Sequence, residues 1–191
     1  STLLSGIFDR IAAAARLARR APADITLVAI SKTHPAEAIM PLIAAGQRCF
    51  GENRVQEAEG KWPALREAHP DIALHLVGQL QSNKAEDAVR LFDCIHALDR
   101  PSLIAALARA MDKVGRQVPC FVQVNIGDEP QKGGCPVAAT GALVEQCHEL
   151  GLTVRGLMGV GPADDTDGAR RSFERLRSLV DDQRLEICSM G

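Results

Sequence analysis

The 191-residue chain is 46% hydrophobic and 24% charged, ordinary usage for a globular protein with ample core material. Its 22 basic and 24 acidic residues leave a net charge of −2, which gives no electrostatic reason to expect nucleic acid or an anionic membrane as a partner. No apolar run approaches the ~20 residues of a membrane span, and one Trp, five Phe and no Tyr leave little material for a base-stacking surface.

The first twenty residues carry Arg10, Arg16, Arg19 and Arg20 against only Asp9, a charge pattern shared with transit peptides. Leu3 or Leu4, Ile7, Ile11, Ala14 and Ala18 recur at three- and four-residue steps, however. That spacing predicts a packed amphipathic helix over about residues 2–20. Short apolar runs then predict strands at 26–31, 48–51, 74–78, 94–98, 119–126, 154–160 and 185–189. Several are almost continuously apolar, as in strands covered on both faces. Helical patterns separate them. Pro35 opens the first and Gly46 closes it. Leu103, Leu107, Met111 and Val114 line the helix after the fourth strand. Ala169, Phe173, Leu176 and Val180 line the helix after the sixth, with Asp165 or Thr166 placed to cap it.

Strand–helix repeats imply a parallel sheet, either open or closed as a barrel. The expected architecture is one α/β domain over residues 1–191. Seven strands are one short of a (β/α)₈ barrel, so either the sheet is open or the chain as given stops before its natural C-terminus. The six cysteines are scattered without a C-x-x-C pair, as free thiols would be. No His or Cys spacing matches a zinc site, and no metal is expected. His75, inside a strand, reads as a core histidine; His34, His69, His96 and His148 show no spacing that implies a site. Trp62, beside Pro63, reads as packing.

In parallel α/β folds the working groups lie beyond the carboxyl ends of the strands. Those positions hold Lys32, Asn53, Gln81, Asn83, Lys84, Asn125, Lys132, Met158 and Ser189. They form a mouth of amides and lysines, with no carboxylate pair and no Ser–His–Asp order. Lys32 leaves the end of the first strand, where partial desolvation and neighbouring cations would lower its pKa and free the amine to attack a carbonyl. By position alone, a solvated loop lysine is the competing reading.

The strand ends read VAISKTHP (28–35), FGENRVQE (50–57), HLVGQLQSNK (75–84), VNIGDEPQKGG (124–134), RGLMGV (155–160) and SMG (189–191). Together, and in this order, they resemble the pyridoxal 5′-phosphate (PLP) homeostasis proteins. The resemblance implies a TIM barrel of the alanine racemase N-terminal type. It implies that Lys32 forms a Schiff base with PLP, and that Asn53, Lys132, Met158 and Ser189 line or serve the cofactor pocket. Cys135 departs from the aliphatic residue usual after K-x-G and reads as an apolar swap. The family also continues past SMG with a helix, a final strand and a turn that holds the PLP phosphate. The chain as given is therefore expected to lack its eighth strand and last helices.

Three readings follow: a PLP carrier without turnover, an amino-acid racemase of the alanine racemase type, or a Schiff-base sugar aldolase on the same fold. Racemisation in that family uses a tyrosine from a second domain, and this chain has neither. An aldolase would place an acid or base beside its lysine. The carrier is the expectation: no catalytic residue, a cytoplasmic location, a monomer, and PLP-dependent apo-enzymes as possible recipients.

Overall fold

The computed structural model describes residues 2–191; residue 1 of the expected domain lies outside them. Helix α1 (Thr2–Leu17) precedes a regular alternation of strand and helix: β1 (Ala29–Ile30), α2 (Ala36–Ala44), β2 (Cys49–Glu52), α3 (Val55–Ala68), β3 (Ala73–Leu76), α4 (Ala85–Leu91), β4 (Cys94–Leu98), α5 (Pro101–Val114), β5 (Cys120–Gln123), α6 (Thr140–Glu149), β6 (Val154–Met158), α7 (Thr166–Asp182) and β7 (Ile187–Ser189). Every strand pairs in parallel with the next one in the chain, in the order β1 to β7. An open doubly wound sheet reverses that order somewhere; this one does not. With every crossover of the same hand, the helices stack on one side and the sheet curls into a half-barrel.

One hydrogen bond measures the curl. His96 on β4 and Ser189 on β7 are three strands apart, about 14 Å across a flat sheet, yet His96 Nδ1 and Ser189 Oγ lie 2.9 Å apart. The sheet bends until these two side chains meet across its concave face.

The outer face carries the core. Phe50, Leu74, Leu76, Ile95 and Val122 share one core cluster with Trp62, Val89, Leu103, Leu107, Leu143 and Leu176 of the surrounding helices. All five residues of β4 are buried, as its continuous apolar run anticipates. Helix α5 buries Leu103, Leu107 and Met111, with Val114 packed partly against the core. Asp165 caps α7 by accepting the Gly168 N–H at 2.8 Å. All six cysteines are free thiols, and Cys135 is buried as a small core residue.

Two expectations need correction. The first strand is two residues rather than six: β1 pairs only with β2, and only Ala29 and Ile30 meet partner residues in register. Helix α1 ends at Leu17, not at residue 20, and Arg19 turns into the left-handed region with φ 55°. Its packed face is also rotated from the expected stripe. Leu4 and Ala15 are buried while Ile7 stays exposed, because the contact surface follows positions 4, 11, 12 and 15.

Candidate functional site

The concave face is built by strand alternation. His75 on β3 stands opposite Cys94 on β4 in register, and His96 follows two residues later on the same face. Cys94, Phe121 and Met158 form a small apolar cluster there, apart from the main core. The His96 ring stacks on Phe121 with centroids 4.4 Å apart. His75 Nδ1 and His96 Nε2 lie 2.8 Å apart, so a hydrogen-bonded chain runs His75–His96–Ser189 across the floor of the half-barrel. Burial, with His75 as like-charged neighbour, pushes His96 down to about 3. Burial also lowers His75, against a smaller opposing pull from Asp93. Both rings are therefore neutral at pH 7, and each donates through one nitrogen and accepts through the other.

At the carboxyl ends of β5, β6 and β7, Gln123, Met158 and Ser189 are register partners. Met158 and Ser189 thus meet at one level of the sheet. Gln123 sits with them, and its Oε1 is buried without a hydrogen-bond partner among the described residues. An orphaned acceptor in a concave polar site fits a bound ligand that donates to it.

The turn after β1 is the most heavily braced segment of the rim. His34 N–H donates to Ser31 O at 3.2 Å, closing a turn over residues 31–34, and Thr33 has φ 64°. Beneath it lies a buried ion pair. Glu52, fully buried, accepts from Lys61 Nζ at 2.6 Å, Ser31 Oγ at 2.7 Å and Trp62 Nε1 at 2.8 Å, all at Oε1. Lys61 Nζ also donates to Ser31 O at 2.8 Å and His34 O at 2.9 Å. Glu57 accepts from the Thr33 N–H and lies 3.3 Å from Lys61. The Thr33 N–H bond, with Lys61 beside it, holds the Glu57 carboxyl below its ordinary pKa.

Of the five lysines, four are ion-paired: Lys61 to Glu52, Lys84 to Asp87 at 3.7 Å, Lys113 to Glu86 at 2.8 Å and Lys132 to Glu129 at 2.9 Å. Among the described residues Lys32 alone has no ion pair and no hydrogen bond from its amine. It is exposed rather than desolvated, which corrects the expected cause of its reactivity. Asn53, half-buried after β2, likewise makes no side-chain hydrogen bond among the described residues. Gly78 packs so close to the Asn53 backbone that a Cβ there would collide with the Asn53 carbonyl oxygen. Lys132 sits on the loop after β5, tied to Glu129 and to Gly161 O at 3.2 Å.

Sequence reasoning missed the carboxylates of Glu52 and Glu57, the partners Lys61 and His96, and Gln123. Glu52 and Glu57 stand within the quoted 50–57 motif, five residues apart, so a signal was present there. His75 and His96 are separated by 21 residues, and no spacing rule links them. The zinc argument from spacing also fails in its premise: Cys94, His75 and His96 ligand atoms lie within 4.8 Å of one another. Their hydrogen bonds already satisfy the imidazole nitrogens that face each other, and burial pushes the Cys94 thiol up to about 12.

The fold has counterparts among known proteins. The family model for the alanine racemase N-terminal domain matches residues 8–191. The pyridoxal phosphate homeostasis protein of Escherichia coli K12 is 39% identical over 182 residues, covering 93% of this chain and 76% of the relative. The Pseudomonas aeruginosa protein of the same name is 37% identical over 192 residues, covering 98% and 83%. The structure of PipY from Synechococcus elongatus PCC7942 with PLP bound superposes with a TM-score of 0.80 at 39% identity, covering 95% of this chain and 88% of PipY. Alanine racemase of Clostridium difficile 630 shares the fold at TM-score 0.68 and 13% identity, covering 88% of this chain and 46% of the racemase. The chain therefore belongs to the alanine racemase N-terminal domain family and, within it, to the pyridoxal phosphate homeostasis proteins.

Proposed function

We propose that this protein binds PLP as a Schiff base on Lys32 and serves PLP homeostasis in the cytoplasm, holding and releasing the cofactor without turning over a substrate. The observation that carries the reading is the unpaired amine of Lys32 at the end of β1, when every other lysine is held by a carboxylate. PLP supplies an aldehyde, which condenses with a neutral amine and releases water. An amine locked in an ion pair is tied to its carboxylate, whereas the Lys32 amine is free to turn toward an aldehyde. In this reading Asn53, Met158 and Ser189, at or just beyond the carboxyl ends of β2, β6 and β7, line the cofactor pocket, and Gln123 offers it a buried acceptor. PLP-dependent apo-enzymes are the proposed recipients of the released cofactor.

Borohydride reduction of the PLP-loaded protein, followed by peptide mass mapping, is expected to place the pyridoxyl adduct on Lys32. An adduct chiefly on Lys84 or Lys132 would sink the assignment. In the same preparation, racemisation of alanine or serine is expected to stay far below the ~10 s⁻¹ median of ordinary enzymes. A rate near that median, lost in Lys32→Ala, would make the protein a racemase instead.

Lys132 has a separate part in this reading. Its ion pair with Glu129 keeps it from being the primary nucleophile, while its place beside the mouth lets it steer an anionic group by charge. Lys132→Ala is expected to leave the Schiff base on Lys32 intact and to change the rate at which PLP passes to a scavenging apo-enzyme. Identical transfer rates in mutant and wild type would return Lys132 to a loop-bracing role.

A further inference from the structure

The turn that presents Lys32 is one the chain would not choose unaided. Among residues 31–34 only Thr33, the third, has positive φ, which is the signature of a type II turn. That position favours glycine or asparagine, and a β-branched residue there is a genuine outlier. Something outside the turn must hold it. The contacts that can are specific: the Glu57 carboxylate takes the Thr33 N–H, and the buried Lys61 ammonium takes the carbonyls of Ser31 and His34 on either side of Lys32. Glu52 holds Lys61 from below and takes the Ser31 hydroxyl.

We propose that Glu52, Glu57 and Lys61 are positioning residues that hold the 31–34 turn in its strained form, so that Lys32 projects an unpaired amine into the mouth. This rests on the reading of Lys32 as the aldehyde-binding amine. It goes beyond that reading by assigning the reactivity of Lys32 to an ionic brace on α3 and the end of β2. The brace spends its own cation on the backbone of the turn, and its two carboxylates on Lys61 and Thr33. Among the described residues neither carboxylate of the brace pairs with Lys32.

A brace of this kind differs from ordinary cement between β1 and α3 in one respect: its importance depends on the residue at position 33. Glycine adopts positive φ without strain. In Thr33→Gly the turn no longer needs Glu57, whereas a purely structural contact would matter equally in both backgrounds. The experiment is a double-mutant cycle on the full chain with Glu57→Gln, Thr33→Gly and the double variant. Its readouts are the stopped-flow rate of Schiff-base formation with PLP and the hydrogen exchange of the Thr33 amide. Glu57→Gln keeps the size of the side chain and buries no new charge, so it is the variant least able to unfold the protein.

Glu57→Gln leaves an amide oxygen able to accept the Thr33 N–H but removes its charge. It is expected to slow Schiff-base formation about tenfold, as exchange of a charge-assisted hydrogen bond for a neutral one should, and to speed Thr33 amide exchange. In the Thr33→Gly background the same change should cost less than about twofold. Equal losses in the two backgrounds, or no loss in either, would overturn the proposal. An adduct that maps away from Lys32 in the wild type would instead defeat the reading of Lys32. In that case the Thr33 amide still decides the brace, since unaltered exchange in Glu57→Gln overturns it without reference to PLP.

Discussion

Trp62→Ala is expected to lower the free energy of unfolding by about 3–5 kcal/mol, the usual cost of emptying a large aromatic site. Trp62 is fully buried, and its ring packs on Phe50 with centroids 5.1 Å apart. Its indole N–H also donates to Glu52 Oε1. Truncation therefore opens a cavity between α3 and β2 and removes one of the three donors that a buried carboxylate depends on. Against the 5–15 kcal/mol that stabilises a typical domain, this is a large fraction. Trp62→Phe keeps most of the volume and forfeits chiefly the hydrogen bond, so a loss of about 1.5–3 kcal/mol is expected. Urea unfolding followed by far-UV circular dichroism measures both, since Trp62 is the single tryptophan and the fluorescence signal disappears with it. A loss under about 1 kcal/mol for Trp62→Ala would mean that α3 collapses onto the sheet and that the aromatic pair is not a keystone.

Acidification is expected to destabilise the fold well before its carboxylates titrate. His96 is held neutral down to about 3, and His75 is lowered as well, both chiefly by burial. In the unfolded chain each returns to about 6.5. Below that value the unfolded state binds protons that the folded state refuses, so stability is full above pH 6.5 and falls as the pH drops toward about 3. Each pH unit costs about 1.4 kcal/mol from His96 alone, hence about 2 kcal/mol between pH 6.5 and 5. His75 adds in the same direction. Glu57, Asp71, Glu86 and Asp181, whose pKa values are lowered, lose their contribution in a lower window, below about 4.5. Unfolding free energies measured between pH 5 and 7 therefore isolate the histidines. His96→Gln should flatten the slope by about one proton; an unchanged slope would show that His96 does not resist protonation.

The histidine chain also shows how the two levels of description divide. The strands were legible because their apolar runs are nearly continuous, and burial on both faces demands that. Helices α5 and α7 read correctly because one face of each is apolar over three turns. Helix α1 read less well, since its periodicity marks an apolar side without saying which part of that side finds a partner. Ile7 and Leu4 look equivalent in the sequence, yet only Leu4 is buried.

That Lys32, Asn53, Lys132, Met158 and Ser189 lie at or beyond strand ends was within reach of the sequence, because a parallel sheet puts its strand ends on one rim. The sequence could not decide which lysine is free. Ion pairing depends on which carboxylate the fold delivers to within 4 Å, and Glu52 reaches Lys61 only because α3 folds back along β2. Nor could it join His75, His96 and Ser189, which lie on strands three to seven of a sheet whose curl no local pattern encodes. Hydrophobic periodicity is a property of neighbours along the chain and is written there. Pairing of polar groups across a curved sheet is a property of distance in space, and only the tertiary structure sets it.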